Sequence, residues 1–267
     1  MRRIMALLLV GLVVLASGCI GDGVGLTKEK ILNAIDNIET ARYDQNFSMT
    51  MHFTEPITNR TVNITMSGRV IGMFNKTSGL ETGNMTMNMH TMGMNITFTW
   101  PYFVNGTLVY LKVDGKWYNV PNNNDISTQA KGSLNVDYIE NLLKMKNVTI
   151  KTLADGYAFR VNVTFWEFVN ATNQTGYLNE AWGNLPGNVT VDTKSGWVEV
   201  HLRDDGTPVF IETYMDVVMT MTGISEKPVE VHMTVHDEVK LSEVNKPVHI
   251  VAPNGIENAS DFDEMFW

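Results

Sequence analysis

The chain is poor in cysteine and in charge, above all in basic residues. Cys19 is the single cysteine among 267 residues, which excludes an intrachain disulfide and a cluster of thiolate metal ligands. Charged residues make up 18%, against ~25% in an ordinary globular domain. There are 20 basic and 29 acidic residues, for a formal net charge of −9. Binding to nucleic-acid phosphates requires a basic patch, so the composition excludes nucleic acid as an expected partner.

Sequence motifs typical of catalysis are also missing. The chain contains no phosphate-binding loop, no dinucleotide fingerprint and no Gly-x-Ser-x-Gly elbow. Paired acids occur at Asp204 and Asp205 and within residues 261–264, where a turn and a tail explain them. We therefore predict a protein that is not an enzyme, with no cofactor and no catalytic residue.

The N-terminus contains a run of apolar and small residues that is too short to span a bilayer. Residues 4–16 form this run after Arg2 and Arg3, and thirteen residues fall short of the ~20 that a membrane-spanning helix needs. A basic start and a short apolar segment are typical of a secretion signal. The cysteine that follows this segment, Cys19, could be incidental, in which case the segment is an ordinary signal peptide.

Residues 15–19 (LASGC) resemble the lipobox of prokaryotic lipoproteins, in which the cysteine is lipidated and becomes the mature N-terminus. The resemblance implies a signal peptide over residues 1–18, lipidation at Cys19 and a Gly-rich tether over residues 19–26. We therefore expect a lipid anchor that holds the protein on the extracellular face of the cell membrane.

Most of the remaining chain alternates apolar and polar residues, which predicts strands. The period is clear in residues 47–53 and 85–89, and the reversed phase after them predicts a bulge or bend near His90. Helical spacing appears in residues 27–41, which include Ile31, Ile35 and Ile38, and in residues 136–145. The order helix, strands, helix, strands without a long linker predicts one α+β domain over residues 27–267, an antiparallel sheet with helices on one face.

This arrangement resembles the LolA/LppX-type lipoprotein fold. The lipobox precedes a first helix beginning at residues 28–32 (KEKIL), and a second helix at residues 136–143 (VDYIENLL) separates two blocks of strands. Long meandering strands fill residues 196–239, and residues 245–253 (NKPVHIVAP) form a closing segment. The resemblance implies a curved antiparallel half-barrel with two or three helices on its concave face. It also implies binding or carriage of a lipid-like ligand and no catalytic residues.

Glycosylation sequons are far more frequent than chance provides. With 26 Asn and 37 Ser or Thr in the chain, roughly four sequons would arise by chance, and thirteen are present. The preference of Thr for strands explains the frequent Thr but not the Asn two residues before it, because Asn is depleted in strands. N-glycans together with a prokaryotic lipobox indicate an archaeal cell surface. The predicted sites are Asn46, Asn59, Asn63, Asn75, Asn84, Asn95, Asn105, Asn147, Asn162, Asn170, Asn173, Asn188 and Asn258.

Methionine is abundant, with 17 residues, and it supports two interpretations. A Met-rich stretch with His90 is typical of a Cu(I) site, whereas Met spread over many strands is typical of an adaptable apolar surface. We favour the surface, because same-face residues of one strand lie ~6.6–6.8 Å apart, and we predict no metal site. The predicted ligand cavity consists of Ile31, Ile35, Ile38, Phe47, Met49, Met51, Phe53, Met85, Met87, Met89, Met94, Phe98, Met215, Met219 and Met221.

His232 and His236 have the spacing of helical metal ligands, but they fall in an alternating segment. Residues i and i+4 of a strand lie ~13 Å apart, so both histidines are predicted to be outward-facing. Three functions remain open: a carrier of a hydrophobic ligand, a structural or adhesive envelope lipoprotein without ligand, and a Cu(I)-handling lipoprotein. The oligomeric state is not indicated.

Overall fold

The computed structural model describes residues 26–55, 58–120, 137–172, 188–223 and 225–262. The predicted signal segment, the lipobox and Asn173 lie outside the described residues. The helices are α1 (Lys28–Asp36), α2 (Asp137–Met145) and α3 (Phe165–Ala171), with a 3₁₀ turn at Ile256–Asn258. The strands are β1 (Thr40–Thr54), β2 (Thr61–Asn75), β3 (Leu80–Thr91), β4 (Met94–Asn105), β5 (Leu108–Val113), β6 (Lys116–Val120), β7 (Ile150–Leu153), β8 (Gly156–Asn162), β9 (Asn188–Leu202), β10 (Pro208–Thr222), β11 (Val229–Ser242) and β12 (Ser260–Asp261).

The described strands form one sheet in the order β12-β6-β5-β4-β3-β2-β1-β11-β10-β9-β8-β7. Neighbouring strands are antiparallel, except that the short β12 pairs in parallel with β6. The sheet is open and curved, and with the three helices of the described residues it forms an α+β half-barrel, which confirms the predicted fold class. Strand β1 lies at its middle and pairs with β2 on one side and β11 on the other. The two blocks of strands that the sequence separates are thereby joined into one surface.

The first helix is shorter than the sequence predicts. Thr27 caps its N-terminus and Asn37 its C-terminus, whereas the apolar spacing extends the prediction to residue 41. Ile38 and Ala41 fit the helical period, but Ala41 and Tyr43 also fit the two-residue period of a strand. The structure places Ala41 and Tyr43 at the start of β1, where both side chains are fully buried.

Helix α3 is not predicted by the sequence, although its local signal is complete. Thr164 accepts a hydrogen bond from the Glu167 backbone N–H, and the Glu167 side chain accepts one from the Thr164 backbone N–H. This capping box starts a helix where the alternation of β8 would otherwise continue.

Of the predicted bulge or bend near His90, the bulge is wrong, because the chain makes a hairpin there. Met92 and Gly93 have φ of 48° and 79°, values typical of a two-residue type I′ turn. The turn sends β4 back along β3, so Met94 lies opposite Thr91, and Ile96 lies opposite Met89. The phase reversal in the sequence therefore marks a new strand on the same face.

The hydrophobic core lies where the three helices cover one half of the inward face of the sheet. Ile31 and Ile35 of α1 and Ile139, Leu142 and Leu143 of α2 are at most 1% exposed. They form one cluster with inward-facing residues of both strand blocks: Ala41, Tyr43, Val104, Phe159, Val198, Val200, Leu202, Ile211 and Leu241. We call this the closed half of the face.

Candidate functional site

Beyond the helices, the inward face continues as a surface of large apolar side chains. The register aligns them in rows across the sheet: Met49 lies opposite both Met66 and Val235, and Met66 lies opposite Met89. These side chains are half-buried, apart from the exposed Met94. We call this surface the trough; its members are Phe47, Met49, Met51, Phe53, Ile64, Met66, Met85, Met87, Met89, Met94, Ile96, Phe98, Val191, Met219, Met221, Met233 and Val235.

Methionine is concentrated on this inward face. Eleven of the 17 methionines lie on it, ten in the trough and Met215 beside it in the closed half. Methionine has three rotatable bonds and a polarizable thioether, so a surface made of it adapts to ligands of different shape. The trough is therefore apolar, partly accessible and deformable.

The structure brings most of the predicted cavity residues together. All eleven predicted strand residues other than Met215 belong to the trough, on both sides of β1. Ile31, Ile35 and Ile38 are at most 2% exposed and Met215 is 4% exposed, so these four pack inside the closed half.

The predicted set omits several trough residues: Ile64, Met66, Ile96, Val191, Met233 and Val235. Their alternation is visible in the sequence. Their membership depends on the pairing of β1 with β2 and β11, which periodicity alone does not specify.

Inward-facing glycines make room for aromatic rings over the sheet. A Cβ added at Gly68 would lie 2.3 Å from Cζ of Phe47, and one at Gly72 would lie 2.5 Å from the Tyr102 hydroxyl. These contacts show that the Phe47 ring covers Gly68 and that the end of the Tyr102 side chain covers Gly72. The glycines thus set the depth of the inward face at the border between the trough and the closed half.

A polar cluster lies at the same border. The Gln45 amide donates to a carboxylate oxygen of Asp237 at 2.8 Å, and Asp237 lies between Phe47 and Thr213 in the register. Burial raises the pKa of Asp237 to about 6, against the lowering effect of the Gln45 hydrogen bond. Tyr138 of α2 lies 3.4 Å from the Thr213 hydroxyl, and burial raises its pKa as well.

A second buried polar cluster lies in the closed half. Glu81 is 5% exposed and accepts hydrogen bonds from the hydroxyls of Tyr43 and Tyr102, the latter at 2.9 Å. The two tyrosines cover Gly72 and Gly83. A buried carboxyl group needs hydrogen-bond partners, and here the two tyrosine hydroxyls provide them. The hydrogen bonds to Glu81 therefore hold both rings in position.

The outward face is polar and carries many of the predicted glycosylation sites. Asn63 and Thr65 point outward while Ile64 between them points into the trough, so the two polar residues of this sequon share the outward face. Of the twelve sequon asparagines in the described residues, Asn75 is half-buried and eleven are exposed. Among the described residues, no helix is both long enough and apolar enough to cross a membrane.

His232 and His236 also point outward, as predicted, and they do not share a site. His232 stacks on His52 with ring centroids 4.5 Å apart. His236 lies instead against Glu212. Asp204 and Asp205 occupy the turn between β9 and β10, where Asp205 accepts from the Thr207 backbone N–H. A turn thus explains this acidic pair, as the sequence predicts.

Comparison with known proteins gives one similar sequence and several distant structural similarities. No family model matches the chain. The uncharacterized protein MJ1414 of Methanocaldococcus jannaschii is 27% identical over 206 residues, which cover 76% of this chain and 78% of that protein.

Solved structures with some similarity include LprF from Mycobacterium bovis, at 10% identity and a TM-score of 0.35, covering 85% of this chain and 94% of that one. They also include a structure of lipid–protein interactions in lipovitellin, at 12% identity and a TM-score of 0.34, covering 80% of this chain and 26% of that one.

Proposed function

We propose that this protein is a lipid-anchored surface protein that binds or carries a lipid-like hydrophobic ligand in the trough. The observation that carries the proposal is a two-faced sheet on which one face is apolar and only half covered. An apolar face of this size normally packs against helices or a second sheet. An elongated apolar ligand lying across the Met-rich rows would complete that packing.

The composition of the trough indicates the class of ligand. Ten of its side chains are Met, and three are Phe, so an acyl or isoprenoid chain would be held by dispersion contacts and burial of its surface. The Gln45–Asp237 pair is the polar group at the border between the trough and the closed half. Such a site suits a flexible chain with a small polar head, and nothing in this mechanism requires a reaction.

The anchor and the glycans remain parts of the proposal. Replacement Cys19→Ser is expected to abolish lipidation and release the protein from the membrane fraction, because the thiol is the acceptor. A Cys19→Ser protein that still partitions into detergent like the wild type would contradict the anchor. For the glycans, the natively made protein should exceed the lipopeptide mass by several glycans, and an equal mass would contradict the coat.

Ligand binding is tested with a fluorescent long-chain fatty acid as the probe. We expect the full chain to bind it, and the double variant Met49→Gln/Met66→Gln to bind at least about tenfold more weakly, because two polar amides replace apolar contacts. The matched control is Thr50→Gln/Ser67→Gln, which changes the next residues on the outward face and removes no sequon. The control should bind like the wild type.

Two outcomes contradict the proposal. One is an unmeasurable affinity of the wild type for the probe and for extracted membrane lipids, which would favour an envelope component without ligand. The other is equal weakening by the inward and outward variants, which would mean that the probe does not lie in the trough.

Handling of Cu(I) is the second candidate function. Met49, Met66 and Met89 lie directly opposite one another on β1, β2 and β3, and directly paired side chains have Cβ atoms about 4.5–5.5 Å apart. This row brings thioethers closer than one strand does. Competition for Cu(I) against a chromogenic chelator distinguishes the two: stoichiometric binding lost in Met49→Gln/Met66→Gln would support metal handling, and no binding would exclude it.

A further inference from the structure

A cluster of potential metal ligands lies on the outward face, remote from the trough. Glu212 of β10 and Glu238 of β11 are directly opposite each other, and His236 precedes Glu238 by two residues on the same face. Each residue offers one ligand atom, and the three atoms lie within 4.8 Å of one another. All three side chains are partly accessible, with 23%, 38% and 36% exposure for Glu212, His236 and Glu238.

We propose that Glu212, His236 and Glu238 form a binding site for a divalent transition metal ion, of which Zn²⁺ is the best fit. Imidazole and carboxylate together suit zinc, whereas calcium and magnesium prefer oxygen alone. The two carboxylates neutralise the charge of the ion. Three protein ligands leave a position for water, as in zinc sites that are open to solvent.

The distances are close to those of a coordinated ion. His236 Nε2 lies 2.8 Å from Oε1 of Glu212 and 3.9 Å from Oε1 of Glu238. Ligand atoms about 2.0–2.2 Å from a tetrahedral zinc are about 3.3 Å apart. The first separation is therefore about 0.5 Å shorter and the second about 0.6 Å longer than in a tetrahedral zinc site, and the third pair of ligand atoms lies at most 4.8 Å apart. Rotation of the partly exposed glutamate side chains can supply movements of this size.

The charge pattern of this face gives an independent reason for a cation. Glu199 of β9 lies opposite Glu212, so three glutamates form one row across three strands. Like charges directly opposite in a sheet are unfavourable. Glu199 has Arg160 at 2.6 Å and His201 at 2.9 Å, so its charge is compensated.

The other two glutamates share one imidazole. In the part of the chain that the structure describes, the basic side chain within 4 Å of Glu212 or Glu238 is that of His236. Lys240, the next outward-facing residue of β11, lies opposite Asp44. The two glutamates therefore carry more negative charge than the neighbouring basic side chain can compensate, and a bound dication would neutralise it.

The aromatic surroundings hold the imidazole in place. The Tyr214 ring meets His236 edge-on at 6.4 Å and stacks on Trp197 at 5.8 Å. Arg160 lies over the same Trp197 ring, 3.9 Å from its centroid. This packed ladder limits the orientations of His236 and reduces the entropy lost when the metal binds.

The test is zinc titration of the untagged full chain against a chromogenic chelator. We expect one Zn²⁺ per chain in the wild type. His236→Gln, Glu212→Gln and Glu238→Gln should each weaken binding by at least the roughly 10- to 100-fold that follows loss of a group supporting a zinc ligand. The matched control is His201→Gln, which removes a histidine with the same contact to one glutamate but no second carboxylate, and it should bind zinc like the wild type.

Thermal unfolding of Glu238→Gln distinguishes a metal site from a cluster that forms only a salt bridge. In the presence of EDTA the variant should unfold at a higher temperature than the wild type, because it removes a like-charge pair. With excess zinc the order should reverse, because only the wild type gains the binding energy. Absence of stoichiometric zinc binding in the wild type, or equal loss in His201→Gln and His236→Gln, would overturn the proposal.

Discussion

Replacement of Asp237 by Asn should stabilise the protein at neutral pH and not at pH 4. The pKa of Asp237 is raised from 3.8 to about 6, chiefly by burial. A carboxyl group with a raised native pKa binds its proton more tightly in the folded state, so the cost of ionising it appears as pH rises from about 4 to above 6. The difference of about 2 pKa units corresponds to about 3 kcal/mol, an upper bound because the side chain keeps some contact with solvent.

The assay is urea unfolding at several pH values for the wild type and Asp237→Asn. The gain in the free energy of unfolding should be near zero at pH 4 and reach as much as about 3 kcal/mol at pH 8. Asp44→Asn is the control of opposite sign: the hydrogen bond from Arg69 lowers the pKa of Asp44, so its contribution is present above pH 4 and lost as pH falls. A gain for Asp237→Asn that does not change with pH would mean that ionisation of the buried carboxyl group is not its cause.

Three further substitutions test local features of the fold. Met92→Asn should raise the free energy of unfolding by about 0.5–1 kcal/mol in urea titrations, because both turn residues have positive φ and Asn-Gly is the favoured type I′ pair; a loss would contradict the turn assignment. Thr164→Ala should lower it by about 1 kcal/mol, because it removes the cap of α3; Thr164→Ser should restore most of the loss. Gly68→Val should cost about 1–3 kcal/mol and weaken probe binding, because its side chain collides with Phe47; unchanged unfolding would mean that the ring does not cover Gly68.

The fold class follows from the sequence because local signals agree over long stretches. The alternation in β1 and β2 and the spacing in α2 each point to one structure. The errors occur where two periods fit the same residues. Ala41 fits both α1 and β1, and the stretch after His90 fits both a bulge and a hairpin.

The sequence predicts which kinds of side chain form the trough, but it does not predict all of the strands that contribute to it. Met49 and Met87 are visible as strand residues with large apolar side chains, and the structure places them on one face. Which strands meet Met49 is decided by pairs more than 180 residues apart, such as Met49 with Val235. Local periodicity contains no information on that pairing. The sequence does not indicate the cluster of Glu212, His236 and Glu238 for the same reason, since Glu212 meets the other two residues only through the register of β10 and β11.

Binding of a lipid-like ligand in the trough is best tested by native mass spectrometry of the protein purified from its source cell. We expect a non-covalent adduct of lipid mass that is lost on collisional activation, while the mass due to a lipidated Cys19 remains. The adduct should be depleted in Met49→Gln/Met66→Gln and retained in Thr50→Gln/Ser67→Gln. A wild-type protein that carries no adduct and takes up none from its own membrane lipids would contradict the account.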